Sequence, residues 1–206
     1  QARPAPQQSR SSPQGRLEAT QGTFEYKACD HQGAGLAVCS LKSPDHATRP
    51  PAWRYGIEKL RERAVVQVAS SIFKAYDIRG IVDKSLTAEV VYRIGQALGS
   101  LAIEQGQTAI AVGRDGRLSG PTLAGALMDG ICAAGCDAID VGCVPTPVTY
   151  FAAYELGCHS CVSVTGSHNP PDYNGLKMVI GGTTLALDAI QALKRRIETG
   201  DLKHGA

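Results

Sequence analysis

The segment Thr165-Gly-Ser-His-Asn-Pro-Pro-Asp-Tyr-Asn-Gly175 combines a nucleophilic hydroxyl with residues that stiffen the backbone. Pro170 pushes the residue before it, Asn169, into an extended conformation, and the Pro-Pro pair restricts the chain that follows. Covalent catalysis requires a rigid loop that presents one hydroxyl, and Ser167 carries that hydroxyl. Lys177 follows ten residues later and could bring positive charge to the same site. A turn without chemistry is the alternative interpretation.

Two further segments combine charged residues with glycine. In Gly113-Arg-Asp-Gly-Arg-Leu-Ser-Gly-Pro121, we expect Arg114 and Asp115 to pair and fix the loop rather than contact a substrate. In Tyr76-Asp-Ile-Arg-Gly80, Arg79 is a candidate contact for a phosphate or a sugar. The alternative for this arginine is a tether to the aspartate two residues before it.

The spacing of the motifs disfavours three familiar kinds of site. No Gly-Lys-Ser/Thr follows the first glycine-rich segment, so it is not a P-loop. The segment around Ser167 lacks the second glycine of the Gly-x-Ser-x-Gly motif of serine hydrolases. Cys158 and Cys161 have the CxxC spacing of zinc sites, but the candidate second pair, Cys132 and Cys136, lies where a helix is expected to end. We therefore predict that the seven cysteines are reduced and mostly buried.

Composition excludes several classes of function. The chain is 43% hydrophobic and 19% charged, which is enough apolar material for a packed core. A net charge of +2, from 21 Lys and Arg against 19 Asp and Glu, is too balanced to indicate nucleic-acid binding. No apolar run approaches the roughly 18–20 residues of a membrane helix, and no secretory signal is visible. Because the chain does not begin with Met, we expect a piece of a longer protein.

The chain divides near residue 70. Residues 1–66 carry ten Lys and Arg against six Asp and Glu, and six of the eleven prolines. We predict that residues 1–69 form a low-complexity, poorly structured extension, with one short helix over residues 54–68. The second domain is predicted to cover residues 70–206.

Strands and helices alternate in this second part, which predicts an α/β domain with a mixed, mainly parallel sheet sandwiched by helices. In such sheets, ligands bind at the loops that follow the carboxyl ends of strands, so those loops are the candidate site. The predicted strands cover residues 109–113, 138–142, 161–165 and 176–180, and the predicted helices cover residues 87–105, 121–135, 148–155 and 188–198.

Four motifs appear in the order that is characteristic of one enzyme family. They are Phe73-Lys-Ala-Tyr-Asp-Ile-Arg-Gly80, Val112-Gly-Arg-Asp-Gly-Arg-Leu-Ser-Gly-Pro121, Val144-Pro-Thr-Pro147 and Thr165-Gly-Ser-His-Asn-Pro-Pro-Asp-Tyr-Asn-Gly-Leu-Lys177. On these motifs the chain resembles the α-D-phosphohexomutases, most closely their bacterial phosphomannomutase/phosphoglucomutase branch. The resemblance covers about residues 70–204 and implies the first, phosphoserine-loop domain of that family.

The resemblance implies an enzyme that interconverts hexose 1-phosphates and hexose 6-phosphates through a hexose 1,6-bisphosphate. Ser167 matches the family serine that is phosphorylated in the resting enzyme, and His168 and Asn169 match its neighbours. Tyr76, Arg79, Asn169 and Lys177 match residues that bind the substrate. Arg79 and Lys177 would neutralise the transferring phosphoryl group, and an ammonium disfavoured by a neighbouring arginine would suit Lys177 to act as a general base.

A magnesium ion bound to the phosphoserine is also implied, with Ser167 as its ligand. The family's other metal ligands lie in an Asp-Gly-Asp segment, which this sequence lacks. We therefore expect these 206 residues alone to be inactive. The implied partners are hexose phosphates and the bisphosphate, with no nucleic acid or membrane, in a monomeric cytoplasmic enzyme. Two alternatives stay open: a phosphoglucosamine mutase, and a non-catalytic phosphate-binding module.

Overall fold

A computed structural model describes residues 37–39 and 67–205. Four α-helices occur in these residues: α1, Ala88–Glu104; α2, Gly120–Ala133; α3, Thr146–Glu155; and α4, Asp188–Thr199. The strands are β1, Ala37–Cys39; β2, Ile78–Ile81; β3, Ala109–Arg114; β4, Asp137–Cys143; β5, Cys161–Val164; β6, Tyr173–Ile180; and β7, Thr183–Thr184. None of the helices in this part of the chain is long and apolar enough to cross a membrane.

Helices α1, α2 and α3 begin at signals that the sequence carries. The side chain of Thr87 accepts a hydrogen bond of 3.2 Å from the backbone N–H of Val90, which caps α1 as predicted. Pro121 lies in the first turn of α2, where its missing N–H costs nothing. Helix α3 begins at Thr146, two residues before the predicted start, because Pro147 occupies the same favourable first turn.

The strands form a mixed sheet in the order β1-β4-β3-β5-β6-β2, and β7 pairs with β6. The predicted α/β class and mixed sheet are confirmed, but parallel pairing is confined to the three central strands. Strand β3 is parallel to β4 and to β5, whereas β1, β2, β6 and β7 pair in the antiparallel sense. The reason lies in the connection from β5 to β6, which is a short loop rather than the long crossover that parallel strands require.

Side chains of successive residues in β3 enter different cores, because strand residues alternate between the two faces of a sheet. Ile110 and Val112 join the main core with the apolar faces of α1, α2 and α4. Ala111, between them, joins a smaller cluster with Ala153 of α3. The domain therefore has three layers, with three helices on one face of the sheet and α3 on the other.

Two strands were not predicted from the sequence. Strand β1 lies within the predicted extension and pairs with β4. The sequence predicts no strand at β2, but its four residues pair with the first half of β6 and lengthen that strand to Tyr173. Both are too short to show a period of their own. The helix predicted over residues 54–68 lies almost wholly outside the described residues, and the domain boundary at residue 70 stays a prediction.

The five cysteines in residues 67–205 are free thiols, and four of them are buried. Burial raises the pKa of Cys136 to about 12, and it does the same to the pKa of Cys161. Among residues 37–39 and 67–205, no group of three or more His, Cys, Asp or Glu side chains could hold a metal ion. The prediction that most of the thiols are buried is confirmed for these five.

Candidate active site

Ser167 lies in the loop that leaves the carboxyl end of β5, and it is exposed. Its backbone has a φ of +53°, in the left-handed region that residues other than glycine adopt at a cost of about 1–2 kcal/mol. The backbone N–H of Ser167 donates to Oγ1 of Thr165 over 2.9 Å. Its Oγ lies 3.2 Å from Nδ1 of His168, which is also exposed. The hydroxyl therefore stands in solvent beside a group that can exchange a proton with it.

The carboxylate of Asp115, in the loop after β3, holds the first half of the Ser167 loop. One of its oxygens accepts hydrogen bonds from Oγ1 of Thr165 (2.9 Å) and from the N–H of Gly166 (3.0 Å). The N–H of Asp115 in turn donates to the carbonyl of Val164, the last residue of β5. Two neighbouring strand ends are thus joined directly at the edge of the sheet where ligands are expected.

The guanidinium of Arg117 holds the second half of the loop. Its terminal nitrogens donate to four backbone carbonyls, those of Ser167 (3.1 Å), Asn169 (2.7 Å), Pro170 (2.6 Å) and Tyr173 (3.0 Å). Nε of the same side chain lies 3.4 Å from the carboxylate of Asp115. The expectation that Arg114 pairs with Asp115 is therefore wrong. Arg117, two positions after the aspartate, forms the ion pair instead.

A cleft of about 800 Å³ opens beside the loop and is lined by four of the predicted site residues. Tyr76, Arg79 and Lys177 reach it from the sheet and the segment before it, and Asn169 reaches it from the Ser167 loop. Ser167 and His168, which come directly before Asn169 in the same loop, do not line the cleft and are exposed. The structure thus brings four predicted residues together and places the hydroxyl two residues from one of them.

Strand pairing fixes the position of Arg79. Arg79 lies in β2 directly opposite Gly175 in β6. A Cβ atom on this glycine would lie 2.4 Å from the carbonyl oxygen of Ile78, so the two strands approach closely here. The guanidinium of Arg79 also forms an ion pair with Asp77. The predicted tether is therefore present. It leaves the arginine on the wall of the cleft, so the tether and a phosphate contact are compatible.

Lys177 projects from the face of β6 that is turned away from the main core. Its neighbours Leu176 and Met178 belong to that core, and the alternation of a strand places the lysine between them on the opposite face. Lys74, which the sequence analysis did not single out, lines the same cleft. Three cations and one carboxylate, that of Asp77, therefore surround this space, and an anion such as a phosphate is the ligand that such a charge balance favours.

The described residues do not form a magnesium site by themselves. Around Ser167 the nearest carboxylate in the hydrogen-bond network, that of Asp115, is already occupied by Thr165, Gly166 and Arg117. No cluster of three possible ligands occurs in residues 37–39 and 67–205. Ser167, the ligand that the resemblance implies, is exposed.

A family model described as phosphoglucomutase/phosphomannomutase, alpha/beta/alpha domain I, matches residues 70–204. The chain belongs to this family. The resemblance that the four motifs indicated is therefore confirmed. The description of an alpha/beta/alpha domain also agrees with the three layers of the fold, since helices cover both faces of the sheet.

Named relatives agree with this assignment. A phosphomannomutase/phosphoglucomutase of Pseudomonas aeruginosa is 57% identical over 136 residues, which is 66% of this chain and 29% of that protein. A phosphoglucomutase of Neisseria meningitidis is 54% identical over 134 residues. A crystal structure of a family protein from Burkholderia thailandensis has 53% identity and a TM-score of 0.65, over 68% of this chain and 32% of that one. The chain thus spans less than a third of the length of the curated relatives it matches.

Sequence reasoning missed the residues that support the loop. Thr165 and Arg117 were quoted within motifs, but their roles depend on contacts between segments about 50 residues apart. The one local signal was Gly166. A Cβ atom there would lie 2.2 Å from the guanidinium of Arg117, so the glycine marks a close approach by a side chain from elsewhere. Lys74 carried no stronger signal than its place two residues before Tyr76.

Proposed function

We propose that the full protein containing this chain interconverts hexose 1-phosphates and hexose 6-phosphates through a phosphorylated Ser167 and a hexose 1,6-bisphosphate. The observation that carries the proposal is the exposed hydroxyl of Ser167, fixed in a left-handed turn and joined by its own loop to a cationic cleft. The relatives named phosphomannomutase/phosphoglucomutase support the same activity. Phosphoryl transfer depends mainly on positioning and charge neutralisation, and this arrangement supplies both.

In the first half-reaction, the phosphoserine gives its phosphoryl group to a hydroxyl of the hexose monophosphate. The bond from phosphorus to Oγ of Ser167 breaks, a bond from phosphorus to the sugar oxygen forms, and Lys177 takes the proton of that sugar hydroxyl. His168, 3.2 Å from Oγ, returns a proton to the serine. The bisphosphate then turns round, and the same steps in reverse return its other phosphate to Ser167.

The cleft residues bind and orient the sugar phosphate in this scheme. Arg79, held by Asp77, neutralises the transferring phosphoryl group, and Lys177 adds positive charge there once it has taken the proton of the sugar hydroxyl. Tyr76 has 71% of its surface exposed and offers a ring and a hydroxyl to the sugar, while Asn169 connects the cleft to the serine loop. Magnesium, when bound, would neutralise charge on the phosphoserine, with its remaining ligands coming from outside the described residues.

The test is a coupled assay of the full protein and its Ser167→Ala variant with mannose 1-phosphate, glucose 1-phosphate and glucosamine 1-phosphate. We expect turnover that the substitution abolishes, and a wild-type mass about 80 Da above that of the unmodified chain, lost in the variant. Turnover of the amino sugar alone would assign a phosphoglucosamine mutase. Full activity of Ser167→Ala would refute the proposal. We propose that residues 1–206 alone show no turnover, because they span less than a third of the relatives.

A further inference from the structure

We propose that Arg117 is the positioning residue that sets the direction of the Ser167 hydroxyl, an inference that rests on the function proposed above. Its two terminal nitrogens meet four carbonyls that all belong to the short stretch from Ser167 to Tyr173. The first of these carbonyls is that of Ser167 itself. The guanidinium therefore acts on the backbone of the nucleophile directly and does not touch the reacting atoms.

Four carbonyl oxygens that converge on one point repel each other unless a cation lies between them. A guanidinium suits this position because it is planar, permanently charged and able to donate several hydrogen bonds in fixed directions. A lysine would keep the charge, but its single ammonium has three donors for four acceptors and no fixed plane. The site therefore depends on the shape of the arginine as well as on its charge.

Contact with Gly166 transmits this arrangement to Ser167. A Cβ atom on Gly166 would lie 2.2 Å from both Cζ and Nε of Arg117, so the guanidinium packs against the backbone immediately before the serine. Ser167 has a φ of +53°, which is unfavourable by itself. The hydrogen bonds from Arg117 offset that cost, and without them the serine is free to return to a negative φ, which turns its Oγ away.

Other contacts keep the loop closed when Arg117 is replaced. Asp115 still accepts from Thr165 and Gly166, and Asn169 still donates to the carbonyl of Gly166 from its N–H (3.0 Å) and its side chain (2.9 Å). The arginine belongs to neither of the two hydrophobic clusters. Its removal is therefore expected to misplace the hydroxyl rather than to unfold the domain.

The experiment compares the full protein with its Arg117→Ala and Arg117→Lys variants, and with Arg195→Ala as a matched control on the exposed side of α4. We expect kcat to fall about 100-fold in both Arg117 variants while KM changes by less than about threefold, since a misplacement of about 1 Å has that effect on rate. Added methylguanidinium should raise the kcat of Arg117→Ala at least about tenfold. It should not change the kcat of Arg117→Lys, because the ammonium group of the lysine occupies the space.

Amide hydrogen exchange of residues 165–175 gives a second readout that needs no turnover. In the Arg117 variants we expect faster exchange in this loop alone, with the rest of the domain as in Arg195→Ala. A wild-type kcat in Arg117→Lys, or unchanged hydrogen exchange in the loop, would overturn the inference. If Arg117→Ala does not fold, Arg117→Lys alone provides both the kcat and the exchange measurement. If the wild-type protein is inactive, the proposed function fails. The exchange experiment then decides alone whether Arg117 orders the loop.

Discussion

Gly166 is the residue at which the two anchors of the serine loop meet. Its N–H donates to Asp115, and its Cα faces the guanidinium of Arg117. We predict that Gly166→Ala lowers the free energy of unfolding by about 1–2 kcal/mol, because the added methyl group must displace a charged group from its hydrogen bonds. Urea unfolding measures this change. In the control Gly116→Ala, where the Cβ meets nothing within 4 Å, we expect a change below about 0.5 kcal/mol. Equal stability of the two variants would contradict the close contact.

The sequence predicted the members of the candidate site better than it predicted what holds them. Tyr76, Arg79, Asn169 and Lys177 were chosen from motifs, and the structure brings them to one cleft. Arg117 could not be chosen in the same way. Its role depends on four backbone carbonyls of another segment. Every residue type has such a carbonyl, so the sequence does not reveal these contacts. The roles of the predicted residues remain proposals until variants are assayed.

Helices α1 and α2 pack closely because glycine occupies the contact. A Cβ atom on Gly130 would lie 2.0 Å from the carbonyl of Tyr92, which is backbone and cannot move aside cheaply. We predict that Gly130→Ala destabilises the domain by about 2–3 kcal/mol through overpacking, although alanine is the better helix former. The control is Ala126→Gly in the same helix, which should lose about 1 kcal/mol of helix propensity. Thermal unfolding of both variants distinguishes the two effects. Helix propensity alone would stabilise Gly130→Ala and destabilise Ala126→Gly, so a stabilised Gly130→Ala would exclude the close contact with Tyr92.

At the scale of elements, the sequence predicted the four α-helices of residues 67–205, but pairing decided the outer strands. Helix α1 shows its apolar face over 17 residues, and its threonine cap is explicit in the sequence. Strand β2 has four residues, and it is a strand because β6 lies beside it from far along the chain. The antiparallel direction of β6 follows from the length of a loop rather than from the residues of the strand. Short segments of this kind depend on tertiary context, which local patterns do not contain.

The end of the domain is tied to its first helix by charge. Arg196 of α4 donates to Glu104 at the end of α1 over 2.7 Å, and this hydrogen bond is the main reason that the pKa of Glu104 is lowered. A carboxylate with a lowered pKa contributes stability above its unfolded-state pKa of about 4.3, and this contribution is lost as pH falls through the folded-state value. The backbone N–H groups of Lys203 and Gly205 add hydrogen bonds to Ser100 and Ala133.

We therefore predict that Glu104→Gln is less stable than the wild type at pH 7 and that the difference disappears near pH 3. The effect should stay below about 1 kcal/mol, because the pair is partly exposed to solvent. Urea midpoints measured between pH 7 and pH 3 provide the comparison, with Glu155→Gln, an exposed residue of α3, as the control. A gap between Glu104→Gln and the wild type that persists at pH 3 would show that the ion pair is not its cause.

The link from Arg117 to the serine loop joins residues about 50 positions apart in the chain. A protein engineer who copies only the Thr165–Pro171 stretch onto another scaffold would move the nucleophile without the Asp115 and Arg117 contacts that hold it. The grafted segment would keep its sequence, but its backbone would relax to an ordinary turn. Transplanting this chemistry requires two pieces of sequence, the segment with Asp115 and Arg117 and the serine segment, mounted on adjacent parallel strands.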